Sequence, residues 1–221
     1  MRLLAFCRIA IVALSPAMAR AQSATTLTIH DNDLPAPRLW EPYSFQLHAG
    51  GGIEPYKWQF AGGDLPQALV LDNRGELHGD PSDSFDSEIS IVVTDSSRPA
   101  KHGGKDFVLK TAAPLTADWT QRAQVNGRRI EGGIKISNQT GRDFDVTVIV
   151  LAIDDINRAT AIGYQHFSLK RDTTDQEIPF GENLSRGNYA VNADVVGEEA
   201  ISGRIFRARL MAEKLAVTQG P

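Results

Sequence analysis

Apolar and polar residues alternate with a period of two along most of this chain, and the pattern predicts short β-strands. Residues 43–47 place two aromatic side chains and a leucine on one face, and residues 88–94 place three β-branched side chains on one face. In the first half no window of helical periodicity competes with this pattern. Turn signals recur roughly every 8 to 12 residues, as is typical of a β-sandwich.

The strands predicted in the first half are 25–29, 43–47, 56–60, 69–71, 76–78, 88–94 and 107–109. Between the first two, Pro35 and Pro37 exclude a regular element. Asx and Gly residues at 72–75 suit a tight reversal of the chain. About seven short strands of this kind predict a sandwich of two sheets.

Motif residues in this half follow one another in a distinctive order. They are Tyr56-x-Trp58-x-Phe60, Gly62-Gly63, Leu65-Pro66, Leu69-x-Leu71, Gly75, Leu77-x-Gly79-x-Pro81 and the run 91–96 (IVVTDS). Because their motifs follow this order, residues 27–111 resemble the immunoglobulin-like domain of bacterial surface and secreted proteins. That family is related in fold to cadherin-like domains. Asp80 departs from the small hydroxyl residue usual before the proline. The resemblance implies a module that spaces, presents or adheres and that carries no catalytic residues.

The second half repeats the alternation after a short linker at 111–114 (TAAP). Its most apolar run, 144–153 (FDVTVIVLAI), predicts a central core strand. The other predicted strands are 115–119, 130–136, 161–169, 175–180, 189–195, 201–210 and 215–218. Leu184, Gly187 and Tyr189 resemble the tyrosine corner of Greek-key sandwiches, in which the tyrosine hydroxyl bonds to upstream backbone. This half thus resembles an immunoglobulin- or fibronectin-like sandwich.

The N-terminus has the layout of a secretory signal peptide. A basic residue, Arg2, precedes a run at 3–14 that is apolar apart from Arg8, and the small residues Ala19 and Ala21 provide a cleavage site after Ala21. A membrane anchor is the alternative, but the run falls short of the roughly 20 residues that span a bilayer. We therefore expect an all-β chain with a signal peptide (1–21) and two tandem immunoglobulin-like sandwiches (22–112 and 113–221), located in the periplasm or secreted.

Cleavage after residue 21 changes both the cysteine count and the charge. Cys7 leaves with the signal, so the remaining 200 residues cannot form a disulfide. The 221-residue chain has a net charge of −4, and without its first three arginines 20 basic residues face 27 acidic ones, a charge of −7. An acidic exported chain of this kind is a poor candidate for binding nucleic acid or anionic membrane surfaces. No apolar run after residue 21 reaches spanning length, so we expect no membrane insertion after signal cleavage.

Signatures of catalysis are missing from the sequence. There is no G-x-S-x-G motif, 103–105 (GGK) lacks the remainder of a phosphate loop, and the five histidines do not have metal-ligand spacing. We therefore predict no enzyme activity, no cofactor, and no catalytic, cofactor-binding or metal-ligating residue.

Carboxylates offer the strongest alternative chemistry. Asp31 and Asp33 lie in a loop resembling the calcium-binding linker of cadherins, and Asp95 lies where related domains sometimes place an acidic ligand. Calcium takes six to eight oxygens, so a solvated, Asx-capped loop is the simpler interpretation. A second acidic cluster, 80–88, is interpreted as a solvated loop. A glycan hydrolase would need two carboxylates across a groove, which the sequence does not indicate.

Exposed aromatic side chains could stack on sugars. Trp58 and Trp119 lie on apolar strand faces and are predicted to be core, whereas Trp40 and Tyr164 lie beside loops and leave carbohydrate binding open. The predicted function is an exported, non-catalytic binding, adhesion or scaffolding protein. Its expected partner is another extracytoplasmic protein or a cell-surface polysaccharide. A protein partner could bind by adding a β-strand to a sheet edge. A calcium-dependent adhesin and a polysaccharide-binding accessory module are the alternatives.

Overall fold

A computed structural model describes residues 26–218, with the side chains of Glu213 and Lys214 left out. The predicted signal peptide at 1–21 lies outside the described residues. Within 26–218 every regular element is a β-strand, so none of these residues forms a helix that could cross a membrane. The predicted all-β fold class is confirmed.

Fifteen strands occur among the described residues. The strands of the N-terminal half (26–112) are β1 (Thr28–Ile29), β2 (Tyr43–Gln46), β3 (Ala49–Gly50), β4 (Lys57–Gly63), β5 (Leu69–Leu71), β6 (Glu76–Gly79), β7 (Asp86–Thr94) and β8 (His102–Lys110). Those of the C-terminal half (113–218) are β9 (Leu115–Asn126), β10 (Arg129–Asn138), β11 (Phe144–Asp154), β12 (Ala159–Leu169), β13 (Gln176–Asn183), β14 (Gly187–Glu199) and β15 (Ile205–Val217).

The N-terminal half buries one core between two three-stranded sheets. Their orders are β2-β6-β5 and β4-β7-β8, all antiparallel, and β1 pairs with β3. Trp58, Leu77 and Ile91 are among the buried residues, as their alternation predicts. Phe60 was expected on the same face as Trp58 but is 40% exposed, and it lies directly before the register shift of β4 between Phe60 and Gly62.

The largely irregular segment from Leu27 to Pro37 covers the free edge of β8. At one end, Leu27 O lies so close to Gly103 that a Cβ there would come within 2.5 Å of it. At the other, Ala112 N donates to Pro37 O at 2.9 Å, and Lys105 Nζ donates to Asp31 O between them. Since an unpaired edge is a template for another chain, this proline-containing cover removes one such template.

The C-terminal half packs a three-stranded sheet, β13-β10-β9, against a four-stranded sheet, β12-β11-β14-β15. Inward side chains of both sheets, Ile134 and Ile136 of β10 with Val148 and Val150 of β11 among them, form the second core. The two strands predicted at 201–210 and 215–218 are one strand, β15, whose pairing with β14 is irregular at Tyr189/Val191. A local register shift, rather than a turn, therefore separates the two apolar runs.

The tyrosine corner is present as predicted. Tyr189 is buried at the start of β14, and its hydroxyl donates to Ser185 O at 2.9 Å. The bond ties the crossing chain before β14 to the four-stranded sheet.

We expect Tyr189→Phe to lower the free energy of unfolding by about 1 kcal/mol, because it deletes one partly buried hydrogen bond and little packing. Tyr164→Phe is the matched control, since Tyr164 is exposed. Chemical denaturation of both variants provides the measurement, and equal midpoints for the two would show that the corner bond contributes nothing.

Candidate functional site

A short segment of the N-terminal half lies against the second core. Trp40 has a φ of 59°, a left-handed conformation uncommon outside glycine, and its backbone N donates to Pro81 O at 2.8 Å. Leu39 is buried beside it, and its carbonyl accepts from Gly141 N at 3.0 Å. A Cβ on Gly141 would lie 2.1 Å from Trp40 O, so only glycine permits this approach.

The Trp40 indole is held between aromatic and cationic groups of the C-terminal half. Phe206 meets it edge-on at 6.1 Å between ring centroids, and Phe206 in turn stacks on Phe144 at 5.3 Å. The guanidinium of Arg142 lies 4.8 Å from the indole centroid and that of Arg204 lies 6.0 Å away. The Trp40 ring therefore packs among these groups, at the contact between the two halves.

Residues on either side of Trp40 in the sequence make polar contacts. Arg38 binds Glu41 at 3.2 Å and Asp172 at 2.6 Å, and its Nε donates to Gln139 O at 3.1 Å. Burial and a hydrogen bond with Asp172 raise the pKa of Glu41, and that same hydrogen bond lowers the pKa of Asp172. We call these contacts, with Leu39 and Trp40, the junction.

Arg204 and Arg142 extend the junction. Arg204 donates to Ser82 O at 2.6 Å and also pairs with Asp83. Asp83 was interpreted from the sequence as part of a solvated acidic loop, but it contacts the other half. Arg142 pairs at 3.4 Å with Glu199, whose burial alone would raise the pKa of its carboxyl. Hydrogen bonds from Ser202 and Ile201 together with Arg142 outweigh burial and lower that pKa.

An open cleft lies beside the junction, lined in part by Arg142, Asp143, Lys170, Arg171 and Glu199. Asp143 Oδ2 accepts from Lys170 Nζ at 2.8 Å, so both carboxylates of the cleft are bound by cationic side chains. They do not form the free carboxylate pair that hydrolysis of a glycosidic bond requires.

The candidate calcium ligands have separate partners. Asp31 accepts from His48 N at 2.6 Å and pairs with the His48 imidazole at 2.9 Å, whereas Asp33 is exposed. Asp95 is buried and accepts from Ile53 N at 3.0 Å and from Lys101 N at 2.7 Å. Among residues 26–218 no group of three or more His, Cys, Asp or Glu is placed to hold a metal ion.

Sheet edges in the C-terminal half are irregular. The pairing of β12 with β11 shifts between Val150 and Leu151, and that of β9 with β10 shifts twice near Gly133. On β13, Pro179 has no amide hydrogen to donate. Bulges and prolines are the devices by which natural sheets avoid pairing with another chain. Strands β9, β12 and β13 each carry one of these features, and β-strand addition stays a prediction.

The four-stranded sheet carries several apolar side chains, half-buried or exposed, on the side away from its core. On β11, Ile149, Leu151 and Ile153 alternate with buried residues and lie on the side away from the core. Ile149 pairs with Tyr164 on β12, and Leu151 pairs with Asn192 on β14. Asn192 in turn pairs with Met211 on β15. We call these six side chains the outer face. The apolar run 144–153 predicted a central core strand, and β11 is an interior strand of the four-stranded sheet whose alternate residues lie in the second core.

Comparisons with known proteins identify no family. No protein-family model and no curated protein matches the chain. Among solved structures, dimeric latent PorU from Porphyromonas gingivalis aligns with a TM-score of 0.32 and 13% identity, over 88% of this chain and 20% of that one. A similarity this low indicates neither a family nor a function.

Asp95 allows a prediction about pH. Burial alone would raise the pKa of its carboxyl, but hydrogen bonds from Ser97, Lys101 and Ile53 outweigh it and lower the pKa to about 2. Because the folded-state pKa lies below the unfolded one, the stabilisation is complete above about pH 4 and is lost as pH falls toward about 2. We expect Asp95→Asn to melt below the wild type at pH 7, with the difference shrinking over that window.

Asp33→Asn is the control for this experiment, since the Asp33 side chain is exposed. Thermal melts of the three proteins between neutral pH and about pH 2 provide the measurement. A melting difference between Asp95→Asn and wild type that is independent of pH would contradict this account of the carboxylate.

Proposed function

We propose that the chain is an exported, non-catalytic binding or scaffolding protein of two tandem immunoglobulin-like domains, 22–112 and 113–221, after a signal peptide. In support, the orders β2-β6-β5 and β4-β7-β8 parallel the B-E-D and C-F-G strand orders of immunoglobulin constant domains. The C-terminal half adds a tyrosine corner to two facing antiparallel sheets. These features agree with the family resemblance of residues 27–111.

The junction is the observation that carries the scaffolding proposal. Two domains joined by a short linker are expected to move relative to each other unless their interface is large and apolar. Here Trp40 packs with Phe206 of the other half, and Arg38 and Arg204 bind across the same boundary. A protein built this way presents two domains at one angle, which suits a scaffold with a partner that contacts both.

The proposed partner is another extracytoplasmic protein, bound through loops or sheet faces in the periplasm or outside the cell. A cell-surface polysaccharide is the second candidate, because Tyr164 is 66% exposed and could stack on a sugar ring. The calcium and hydrolase alternatives receive less support, since Asp31, Asp95, Asp143 and Glu199 already have partners.

Spin labels test whether the junction holds the two halves at one angle. The chain after residue 21 has no cysteine, so cysteines at Val70 and Ile156, exposed positions in opposite halves, can be labelled uniquely. We expect a narrow distance distribution by double electron–electron resonance, and a clearly broader one after Trp40→Ala, because the indole contacts with Phe206 and Arg142 are lost.

Phe60→Ala is the matched control, since Phe60 is a partly exposed aromatic residue far in sequence from the junction. Its distribution should equal that of the parent. A parent distribution already as broad as that of Trp40→Ala would contradict the fixed angle.

The binding function itself is tested by capture from envelope extract. We expect the exported chain to enrich a specific protein or glycan over an unrelated sandwich domain, and Trp40→Ala to enrich it several-fold less, because a partner that spans both domains loses simultaneous engagement. Recovery of background alone by the wild-type chain, or turnover of envelope glycan, would oppose the proposal.

A further inference from the structure

Two carboxyl groups, one from each half of the chain, meet on a single arginine at the junction. Arg38 Nη1 lies 3.2 Å from Glu41 Oε2, and Arg38 Nη2 lies 2.6 Å from Asp172 Oδ1. Arg38 and Glu41 belong to the N-terminal half, whereas Asp172 lies in the turn between β12 and β13. Because both nitrogens belong to one planar guanidinium, the two carboxyls are held close together across the boundary.

Backbone of the C-terminal half positions this contact. Arg38 Nε donates to Gln139 O at 3.1 Å, which fixes the guanidinium on the loop after β10. A Cβ on Gly141 would lie 3.0 Å from Glu41 Cγ, so the Glu41 side chain lies against the same loop. Asp172 has a φ of 58°, a left-handed conformation that Asp and Asn adopt more readily than most residues. Each carboxyl therefore reaches the boundary from its own side.

Two arginines face the pair of carboxyls. Arg38 contacts both of them, and Arg171 attracts both through its charge. The other charged groups of the junction and its cleft are paired with one another: Asp143 with Lys170, Glu199 with Arg142, and Asp83 with Arg204.

Those neighbouring carboxyls keep their charge in mild acid. A hydrogen bond from Arg204 lowers the pKa of Asp83, and one from Lys170 lowers the pKa of Asp143. The pKa of Glu199 is also lowered, although burial opposes it. The pair on Arg38 is therefore the part of the junction that changes its protonation first as the pH falls from neutral.

A hydrogen bond between two carboxyls requires a proton, because ionised carboxylates are acceptors only. Burial and the hydrogen bond with Asp172 raise the pKa of Glu41, and the same hydrogen bond lowers the pKa of Asp172. The Glu41 side chain is also the less exposed of the two, at 25% against 50%. Glu41 therefore holds the proton and donates it to the Asp172 carboxylate. When that proton leaves, two like charges face each other on one guanidinium and repel.

We propose that the junction is a pH-sensitive contact, in which one proton held between Glu41 and Asp172 tightens the attachment of the two halves and its loss loosens them. Trp40 keeps the halves in contact in both states, through Phe206 and Arg142. The inference rests on the proposed function, in which the junction fixes the angle of a scaffold. In the proposed location outside the cytoplasm, that angle responds to the acidity of the surroundings.

The pH range of the tight state follows from the two directions of shift. A raised pKa means that the contribution of Glu41 is complete below its ordinary value of 4.5 and is lost as pH rises through the folded-state pKa. A lowered pKa means that the contribution of Asp172 is complete above its ordinary value of 3.8 and is lost as pH falls through the folded-state pKa. The attachment is therefore tightest at about pH 4 to 5 and looser at neutral pH.

The spin labels at Val70 and Ile156 test this contact. We expect the distance distribution of the labelled parent to be narrowest at about pH 4.5 and to broaden by about pH 8, while staying narrower than that of Trp40→Ala. Glu41→Gln should stay narrow at both pH values, because its amide donates to Asp172 without a titrating proton. Asp172→Asn should also remove the broadening, since its amide donates to the Glu41 carboxylate.

Glu131→Gln is the matched control. Glu131 pairs with Arg129 at 3.3 Å, at the end of β10 away from the junction. This variant should broaden between the two pH values as the parent does. A Glu41→Gln variant that also broadens like the parent would overturn the proposal.

Carbon NMR of the Glu41 carboxyl supplies a second measurement. We expect Glu41 to titrate above its ordinary value of 4.5 in the parent and at a lower pH in Asp172→Asn, where the hydrogen bond no longer needs the proton. A Glu41 that titrates at or below 4.5 in the parent would overturn the proposal. A parent distribution equally narrow at both pH values would overturn the proton contact and leave the proposed scaffold intact, whereas one equally broad at both would contradict both.

Discussion

The contact of Trp40 with the C-terminal half is the interaction on which the arrangement of the two halves depends. Its left-handed backbone turns the indole out of the first core, and Gly141 provides the space for the chain to approach. Uncommon backbone conformations persist where the surroundings over-determine them. Here Phe206 and two arginines do so, and one side chain of the first half therefore becomes part of the packing of the second.

The edges of the sheets and the outer face differ in the kinds of residue and irregularity they carry. Proline, register shifts and an irregular cover occur at the edge strands β8, β9, β12 and β13, and features of this kind hinder pairing of an edge with another chain. On the outer face of the four-stranded sheet, in contrast, Tyr164 and Met211 are exposed, and Ile149, Leu151 and Ile153 are half-buried.

Local pattern predicted much of the fold. Alternation located β2, β5, β7 and β11, and the spacing of Leu184, Gly187 and Tyr189 located the tyrosine corner, because these signals depend on near neighbours in sequence. Alternation could not reveal the shift at Phe60 or the single strand β15, which depend on pairing register. The junction was also missed: the contact of Asp83 with Arg204 joins residues 121 positions apart, and no local signal predicts it.

The central claim, that the two halves move as one body, is tested most directly by residual dipolar couplings. Backbone amide couplings from β7 and β8 report the alignment of the first half, and those from β11 and β14 report that of the second. We predict one alignment tensor that fits both sets with equal magnitude and orientation. Two tensors of different magnitude would contradict the claim, because they would show that the halves reorient independently despite the Trp40 contact.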